Sequence, residues 1–120
     1  VLVVDDNPVN VSISVAILKK LGLRVSSAGH GQEAVEKTLQ QHFDVILMDI
    51  QMPVMDGYQA SKVLREANSK QFIVGVSANT IDNKKRHLFD LCMTKPFKQK
   101  ALMDVLDLSP VMNKSNNNDI

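Results

Sequence analysis

Three acidic residues, each placed after an apolar run, are the residues best suited to do chemistry. Asp5 and Asp6 follow residues 1–4, and Asp49 follows residues 45–48. Apolar runs of this length are typical of strands buried on both faces of a parallel sheet, and the carboxyl ends of such strands meet at one edge. Converging carboxylates repel each other, by roughly 4 kcal/mol at about 4 Å and an effective dielectric constant of 20. Because oxygen ligands without nearby His or Cys favour Mg²⁺, the sequence predicts a magnesium site at this edge.

Strand-like and helix-like segments alternate along the chain and predict five strand-then-helix units. The predicted strands cover residues 1–4, 24–28, 45–49, 72–77 and 92–94. The predicted helices run from residue 8 to Gly22, over 32–41, from the Asp56–Gly57 turn to about 67, and over 81–90 and 99–108. Asn7 followed by Pro8 is a good start signal for the first helix. This alternation predicts an α/β fold with a parallel sheet covered by helices on both faces.

Length and composition indicate one ordinary soluble domain. The 120 residues carry a formal net charge of +1 and 44% apolar residues, and no apolar stretch is long enough to cross a membrane. We interpret the basic cluster of Lys84, Lys85 and Arg86 as a solvated helix face rather than a nucleic-acid surface. A single cysteine, Cys92, cannot form an internal disulfide and fits a reducing compartment. The domain is predicted over residues 1–108, with 109–120 as a disordered tail or linker because it is poor in apolar residues.

Two further polar residues lie at predicted strand ends. Ser77 ends the fourth strand, and Lys95 follows the fifth. Carboxylates, a hydroxyl and an ammonium at one sheet edge suit phosphoryl transfer: the carboxylates hold Mg²⁺, one of them attacks phosphorus, and the other two groups meet the phosphoryl oxygens. By itself, Ser77 would be interpreted as a hydroxyl bonded to backbone. For the pair Asp5 and Asp6, a helix cap is the less favoured alternative.

The motifs VDDNPVN, LMDIQMPVMDG, VSAN and TKPF, in this order, resemble the receiver domains of two-component response regulators. The first two look most like receivers of hybrid sensor histidine kinases. The resemblance covers about residues 1–108 and implies a flavodoxin-like sheet of order 2-1-3-4-5 with about five helices.

The resemblance also implies a role for each site residue. Asp49 would accept the phosphoryl group. Mg²⁺, or Mn²⁺ in its place, would bind Asp5, Asp6, Asp49 and the backbone carbonyl of Gln51. Ser77 would hydrogen-bond the phosphoryl group and Lys95 would pair with Asp49, with the bond before Pro96 in the cis form. Asp56 with Gly57 is expected to serve turn formation rather than catalysis.

The implied function is that of a signalling module. A histidine kinase or a histidine phosphotransfer protein would supply the phosphoryl group or take it on. The domain would assist its own phosphorylation without being a turnover enzyme. It would lie in the cytoplasm, as part of a membrane-bound hybrid kinase or as a free-standing regulator, and contact neither nucleic acid nor membrane itself. Dimerisation is left open.

Two features depart from the receiver pattern. Cys92 stands where receivers usually carry an aromatic residue that changes rotamer on phosphorylation, and the stretch between Ser77 and Lys95 is short. We therefore predict a shortened or irregular fourth helix. A degenerate receiver that acts only as a docking surface is the main alternative. A haloacid-dehalogenase-like phosphatase is disfavoured because Gln51 stands where a second Asp is needed, and a flavin binder because the first loop is acidic.

Overall fold

The computed structural model describes residues 1–52, 55–67, 71–78, 81–95 and 98–109. Its centre is a five-stranded sheet in the order β2-β1-β3-β4-β5, and every neighbouring pair of strands is parallel. The strands are β1 (Leu2–Val4), β2 (Ser26–Ala28), β3 (Ile46–Asp49), β4 (Ile73–Ser77) and β5 (Leu91–Thr94). The predicted fold and strand order are confirmed.

Four α-helices are present among the described residues: α1 (Pro8–Lys20), α2 (Gly31–Gln40), α3 (Gly57–Glu66) and α4 (Gln99–Asp107). The side chain of Asn7 caps α1 by accepting the backbone N–H of Val9 at 2.9 Å, as the Asn-Pro pair predicts. Asp56 caps α3 in a reciprocal capping box with Gln59. Asp56 therefore acts as a helix cap, where the sequence predicted turn formation.

The two faces of the sheet bury two separate apolar clusters. Alternate residues of a strand point to opposite faces, so Val4 and Met48 face α2 and α3 while Val3 and Leu47 face α1 and α4. The sequence pattern of α2 predicts an inner face made of Ala34, Val35, Thr38 and Leu39. The first three of these residues are buried. The prediction is wrong for Leu39, which is 65% exposed, because at about 100° per residue it lies at the margin of the helix arc formed by the three buried residues.

The connection between β4 and β5 is where the structure departs most from the predicted elements. The helix predicted over 81–90 does not form; a single 3₁₀ turn spans Arg86–Leu88, so the prediction of a shortened or irregular element is confirmed. Ile81 at the start and Phe89 at the end are buried, whereas residues 82–87 are all exposed. Without apolar residues at helical spacing between these two ends, no amphipathic helix is favoured.

Arg65, near the end of α3, forms hydrogen bonds to residues that precede β4 and β5. Its guanidinium donates to the backbone carbonyls of Leu88 at 3.1 Å and Gln71 at 2.9 Å, and to the Asp90 carboxylate at 2.8 Å. Asp90 in turn accepts the backbone N–H of Ile73 at 2.8 Å. One side chain thus stabilises the irregular β4–β5 connection, in which no full helix forms.

We expect Arg65→Met to lower the free energy of unfolding by about 2 kcal/mol, because two carbonyls and one carboxylate lose a charged donor. Urea denaturation followed by circular dichroism measures the change. Lys19→Met, at an exposed residue of α1, is the matched control and should change stability by less than about 0.5 kcal/mol. A loss for Arg65→Met no larger than that of the control would contradict the assigned role.

Two predictions fall on residues outside the described part of the chain. Pro96, with its expected cis bond, is one of them, and residues 110–120 of the expected tail are the other. The boundary between a domain over 1–108 and a tail over 109–120 therefore stays a prediction. Among the helices that the structure describes, none combines the length and the apolar character needed to span a bilayer.

Candidate functional site

Three carboxylates converge at the carboxyl end of the sheet. Asp5 directly follows β1 and Asp49 is the last residue of β3; both are buried, whereas Asp6 is exposed. One oxygen from each of the three carboxylates lies within 4.8 Å of the others. The convergence follows from topology. β1 and β3 are neighbouring parallel strands, with Leu2 paired with Ile46, so their carboxyl ends lie side by side.

Lys95 supplies the positive charge that faces this cluster. Its Nζ lies 3.1 Å from Oδ2 of Asp5 and 3.2 Å from Oδ2 of Asp49, so that one ammonium bridges the two buried carboxylates. The Lys95 backbone is fixed by its own N–H, which donates to the carbonyl of Ser77 at 2.8 Å and continues the pairing of β5 with β4. Burial disfavours the charged ammonium, but the two carboxylates outweigh it and raise the pKa of Lys95.

Local backbone contacts hold the carboxylates in place. Oδ1 of Asp5 accepts the N–H of Asn7 at 2.9 Å, and Oδ1 of Asp49 accepts the N–H of Gln51 at 3.3 Å. The first residue of α3, Gly57, lies against the end of β3: its N–H donates to the carbonyl of Ile50 at 2.9 Å. A β-carbon at Gly57 would meet the backbone carbonyl oxygen of Asp49 and would lie 2.7 Å from Cα of Ile50. Glycine at this position is therefore required for close packing beneath the site.

The electrostatics of the site make Asp49 unusual. Burial, followed by the charge of Asp5, raises its pKa from 3.8 to about 6, although Lys95 acts in the opposite direction. The single ammonium does not fully offset two buried carboxylates. A further cation at the cluster would favour the ionised form, and the donor set of three carboxylates without His or Cys fits a hard divalent ion such as Mg²⁺.

We expect Asp49→Asn to stabilise the protein in metal-free buffer near neutral pH, by on the order of 2 kcal/mol. The folded-state pKa of Asp49, about 6, lies above its ordinary value of 3.8, so between these values the folded state binds more protons than the unfolded state. Stability of the wild type should therefore fall as pH rises from about 4 to about 6, and the advantage of Asn should shrink on acidification.

Urea denaturation in EDTA at pH 4.5 and pH 7.5 measures this difference. Asp104→Asn, an exposed residue of α4, is the control and should show no such pH-dependent gain. An advantage of Asp49→Asn that stays the same at both pH values would contradict the raised pKa.

Ser77 and Gln51 lie close to the cluster in the chain and the sheet. Ser77 is buried at the end of β4, one residue beyond Val76, the partner of Asp49 in the strand register. Gln51 lies two residues after Asp49 with an exposed side chain, which fits its predicted role through the backbone carbonyl alone. The roles of both residues remain predictions.

A cavity of about 340 Å³ opens beside the carboxylates, between α1 and the sheet. Its lining includes Asp5, Asp49 and Lys95, together with Asn10, Ile13 and Ser14 of α1. Sequence reasoning did not single out these residues of α1. The signal available was weak: Asn10 and Ser14 are polar residues four apart that follow the Asn-Pro cap, so they share one face of the helix near the site.

Cys92 lies on β5 opposite Gly75 of β4, so its side chain points to the same face of the sheet as a β-carbon at Gly75 would. A β-carbon at Gly75 would lie 3.0 Å from the ring of Phe89, so this ring covers the space above the glycine. Burial raises the pKa of the Cys92 thiol, although nearby Arg86 lowers it in part. The aromatic residue in this region is thus Phe89, which is buried, rather than residue 92.

Comparison with known proteins identifies the class. The family model described as response regulator receiver domain matches residues 1–107. The chain belongs to this family. It is therefore the receiver domain of a two-component phosphorelay system, which decides against the phosphatase and flavin-binding alternatives.

Among curated proteins, the chain matches the receiver domains of hybrid sensor histidine kinases. Hybrid signal transduction histidine kinase K of Dictyostelium discoideum is 35% identical over 122 residues, which cover 91% of this chain and 10% of that protein. Sensor protein GacS of Pseudomonas syringae pv. syringae is 39% identical over 115 residues, which cover 88% of this chain and 13% of that protein. The chain thus spans roughly a tenth of the length of these relatives.

Solved structures agree in fold. The receiver domain of sensor histidine kinase PA1611 from Pseudomonas aeruginosa PAO1, determined with a magnesium ion coordinated in the active site cleft, is 34% identical with a TM-score of 0.77 and covers 88% of this chain and 91% of that one. The Saccharomyces cerevisiae receiver domain of Ssk1, in a co-crystal structure with the histidine phosphotransfer protein Ypd1, is 30% identical with a TM-score of 0.79, covering 85% and 81%.

Proposed function

We propose that this receiver domain accepts a phosphoryl group from a phosphohistidine onto Asp49. A carboxylate oxygen of Asp49 attacks phosphorus, a P–O bond forms and the P–N bond breaks. The electron pair of that bond stays on the departing imidazole nitrogen, which takes a proton from solvent. The observation that carries the proposal is the contact of one ammonium, Lys95, with both buried carboxylates, at 3.1 and 3.2 Å. This arrangement offers a nucleophile and a positive charge to a phosphoryl group.

The proposed cation is Mg²⁺, held by Asp5, Asp6, Asp49 and the backbone carbonyl of Gln51. When bound, it supplies positive charge that offsets the charge of the transferring phosphoryl group. The oxygen-only cluster supports this assignment, as does the magnesium ion in the active site cleft of the relative from Pseudomonas aeruginosa. Mn²⁺ has similar ligand preferences and is proposed as a substitute.

Lys95 and Ser77 have separate proposed roles. Once Asp49 carries the phosphoryl group, Lys95 moves its ion pair from the carboxylate to a phosphoryl oxygen. Ser77 donates a hydrogen bond to another phosphoryl oxygen from the end of β4. Both residues thereby favour the state in which the β4–β5 side of the domain has shifted, which makes phosphorylation a conformational signal. The domain assists its own phosphorylation in this scheme without turning over a substrate.

A histidine kinase or a histidine phosphotransfer protein is the proposed phosphoryl donor or acceptor. The relatives within hybrid kinases and the complex of Ypd1 with the Ssk1 receiver support this class of partner. Val9 and Ile13 of α1 are 64% and 54% exposed, and Ile13 lines the cavity beside Asp49. A partner that delivers a phosphohistidine to Asp49 would cover these apolar side chains.

Intact mass spectrometry after incubation with phosphoramidate and Mg²⁺ tests the proposal. We expect one added phosphate on the wild type and none on Asp49→Ala. Asp104→Ala, which removes an exposed carboxylate from α4, is the control and should be modified like the wild type. An unmodified but folded wild type would favour the docking-surface alternative, for which the cysteine at position 92 is the supporting observation.

A further inference from the structure

A groove runs between α3 and the irregular β4–β5 connection, on a different part of the surface from the carboxylate cluster. Its volume is about 420 Å³, and we call it the basic groove. It is lined by Tyr58, Gln59, Lys62, Lys85, His87 and Leu88. None of these residues lines the cavity beside Asp49, so the groove is separate from the phosphorylation site.

The charges around the basic groove are mostly positive and unpaired. Lys62 and Lys85 line it, and Lys84 and Arg86 are exposed beside Lys85 in the chain. Among the residues that the structure describes, none of these four cations has a carboxylate oxygen within 4.0 Å. The whole chain carries a net charge of only +1, so this surface concentrates charge that is balanced elsewhere.

The acidic residues nearest in sequence offset part of this charge but, in the described part of the chain, form no ion pair with the four cations within 4.0 Å. Oδ1 of Asp82 accepts the backbone N–H of Lys84 at 2.9 Å and thus serves the turn. Glu66 follows Lys62 by one helical turn but forms no pair with it within 4.0 Å. The four cations outnumber these two carboxylates, so the surface keeps an excess of positive charge, which favours an anionic partner.

The groove is also held in shape before any partner binds. Nζ of Lys85 lies 4.8 Å from the centre of the Tyr58 ring, and the hydroxyl of Tyr58 accepts the N–H of Asp82 at 3.0 Å. The N–H of Lys85 donates to the carbonyl of Asp82 at 2.9 Å, and Phe89 packs against Tyr58 at 5.8 Å between ring centres. A surface that is already ordered loses less entropy on binding.

We propose that the basic groove binds an acidic peptide segment of a partner protein, with carboxylates of the peptide meeting Lys62 and Lys85. A volume of about 420 Å³ accommodates a few side chains rather than a nucleic-acid duplex. Single-stranded nucleic acid is disfavoured because it needs a free aromatic face for stacking, and Lys85 covers the face of Tyr58. The proposal does not depend on phosphorylation of Asp49.

Fluorescence anisotropy tests the proposal with a fluorescein-labelled peptide of alternating Glu and Ala. We expect binding at low salt that weakens as salt rises, and no comparable binding of the matched peptide with Gln in place of Glu. The double variant Lys62→Gln/Lys85→Gln should bind the Glu peptide about fivefold more weakly or worse. Lys19→Gln/Lys20→Gln, the same change of charge at the end of α1, should leave the affinity within about twofold.

Three results would overturn the assignment. Equal loss of affinity in both double variants would indicate a response to net charge alone, and equal binding of the Glu and Gln peptides would exclude recognition of carboxylates. Tighter binding of a single-stranded oligonucleotide that depends on Lys62 and Lys85 would show that the partner is a nucleic acid and not an acidic peptide. Circular dichroism of each variant separates these outcomes from loss of folding.

Discussion

Chelation of divalent cations should reduce the rate of phosphoryl transfer to Asp49 by about 100-fold or more. Without a metal ion, Lys95 is the one positive charge in contact with the two buried carboxylates of the described site. The incoming phosphoryl group adds charge of about −1.5 to −2 to this site. Burial, followed by the charge of Asp5, already raises the pKa of Asp49 to about 6 despite Lys95, so the site disfavours further negative charge.

The rate can be followed by intact mass at fixed phosphoramidate concentration in Mg²⁺, in EDTA, and in EDTA followed by excess Mg²⁺. Recovery in the third sample is the control for irreversible damage, and circular dichroism in EDTA shows whether the fold persists. Asp6→Asn, which removes the exposed carboxylate of the cluster, should raise the Mg²⁺ concentration needed for half-maximal rate. An unchanged rate in EDTA would show that the metal assignment is wrong.

Gly57→Ala, which adds one methyl group beside the site, should be strongly destabilising. The new β-carbon would meet the Asp49 carbonyl oxygen and would lie 2.7 Å from Cα of Ile50. These are backbone atoms, so relief requires α3 to move away from the end of β3 rather than a change of rotamer. We expect the free energy of unfolding to fall by about 3 kcal/mol, despite the better helix propensity of Ala.

Gly29→Ala is the matched control for this substitution, because a β-carbon there meets no atom within 4 Å. Urea denaturation should separate the two variants clearly, with Gly29→Ala near the wild type. Phosphorylation of Gly57→Ala, measured in conditions where it stays folded, should also slow because Asp49 shifts with the end of β3. Equal stability of the two variants would contradict the close packing described beneath the site.

Much of the site was predictable because the carboxyl ends of parallel strands lie at the same edge of the sheet and bring their residues together. Once residues 1–4 and 45–48 are recognised as buried strands, Asp5 and Asp49 must lie at the same edge of the sheet, and the structure brings them together with Asp6. Lys95 could be placed at that edge by the same argument. That its ammonium bridges two carboxylates depends on side-chain geometry, which spacing along a chain does not specify.

The parts that sequence reasoning missed depend on tertiary contacts. Over 81–90 the alternation of elements predicted a helix, and the short stretch before Lys95 correctly predicted that it would be shortened or irregular. Its reduction to a single 3₁₀ turn was not predicted, because the turn depends on burial of the apolar residues at the ends of the segment. Leu39 was assigned to the inner face of α2, yet it lies at the margin of that face and is exposed. Arg65, whose acceptors lie at residue 71 and at residues 88 and 90, showed no sequence signal at all.

The ring of Phe89 above Gly75 has a consequence for how this family can vary. Residues 75 and 92 are neighbours in the strand register, and the ring already fills the space over the first of them. An aromatic side chain at position 92 would compete with Phe89 for volume on the same face of the sheet. Positions 75, 89 and 92 should therefore covary. Homologues with an aromatic residue at position 92 should lack an aromatic residue at position 89. Homologues with a residue larger than glycine at position 75 should also lack an aromatic residue at position 89.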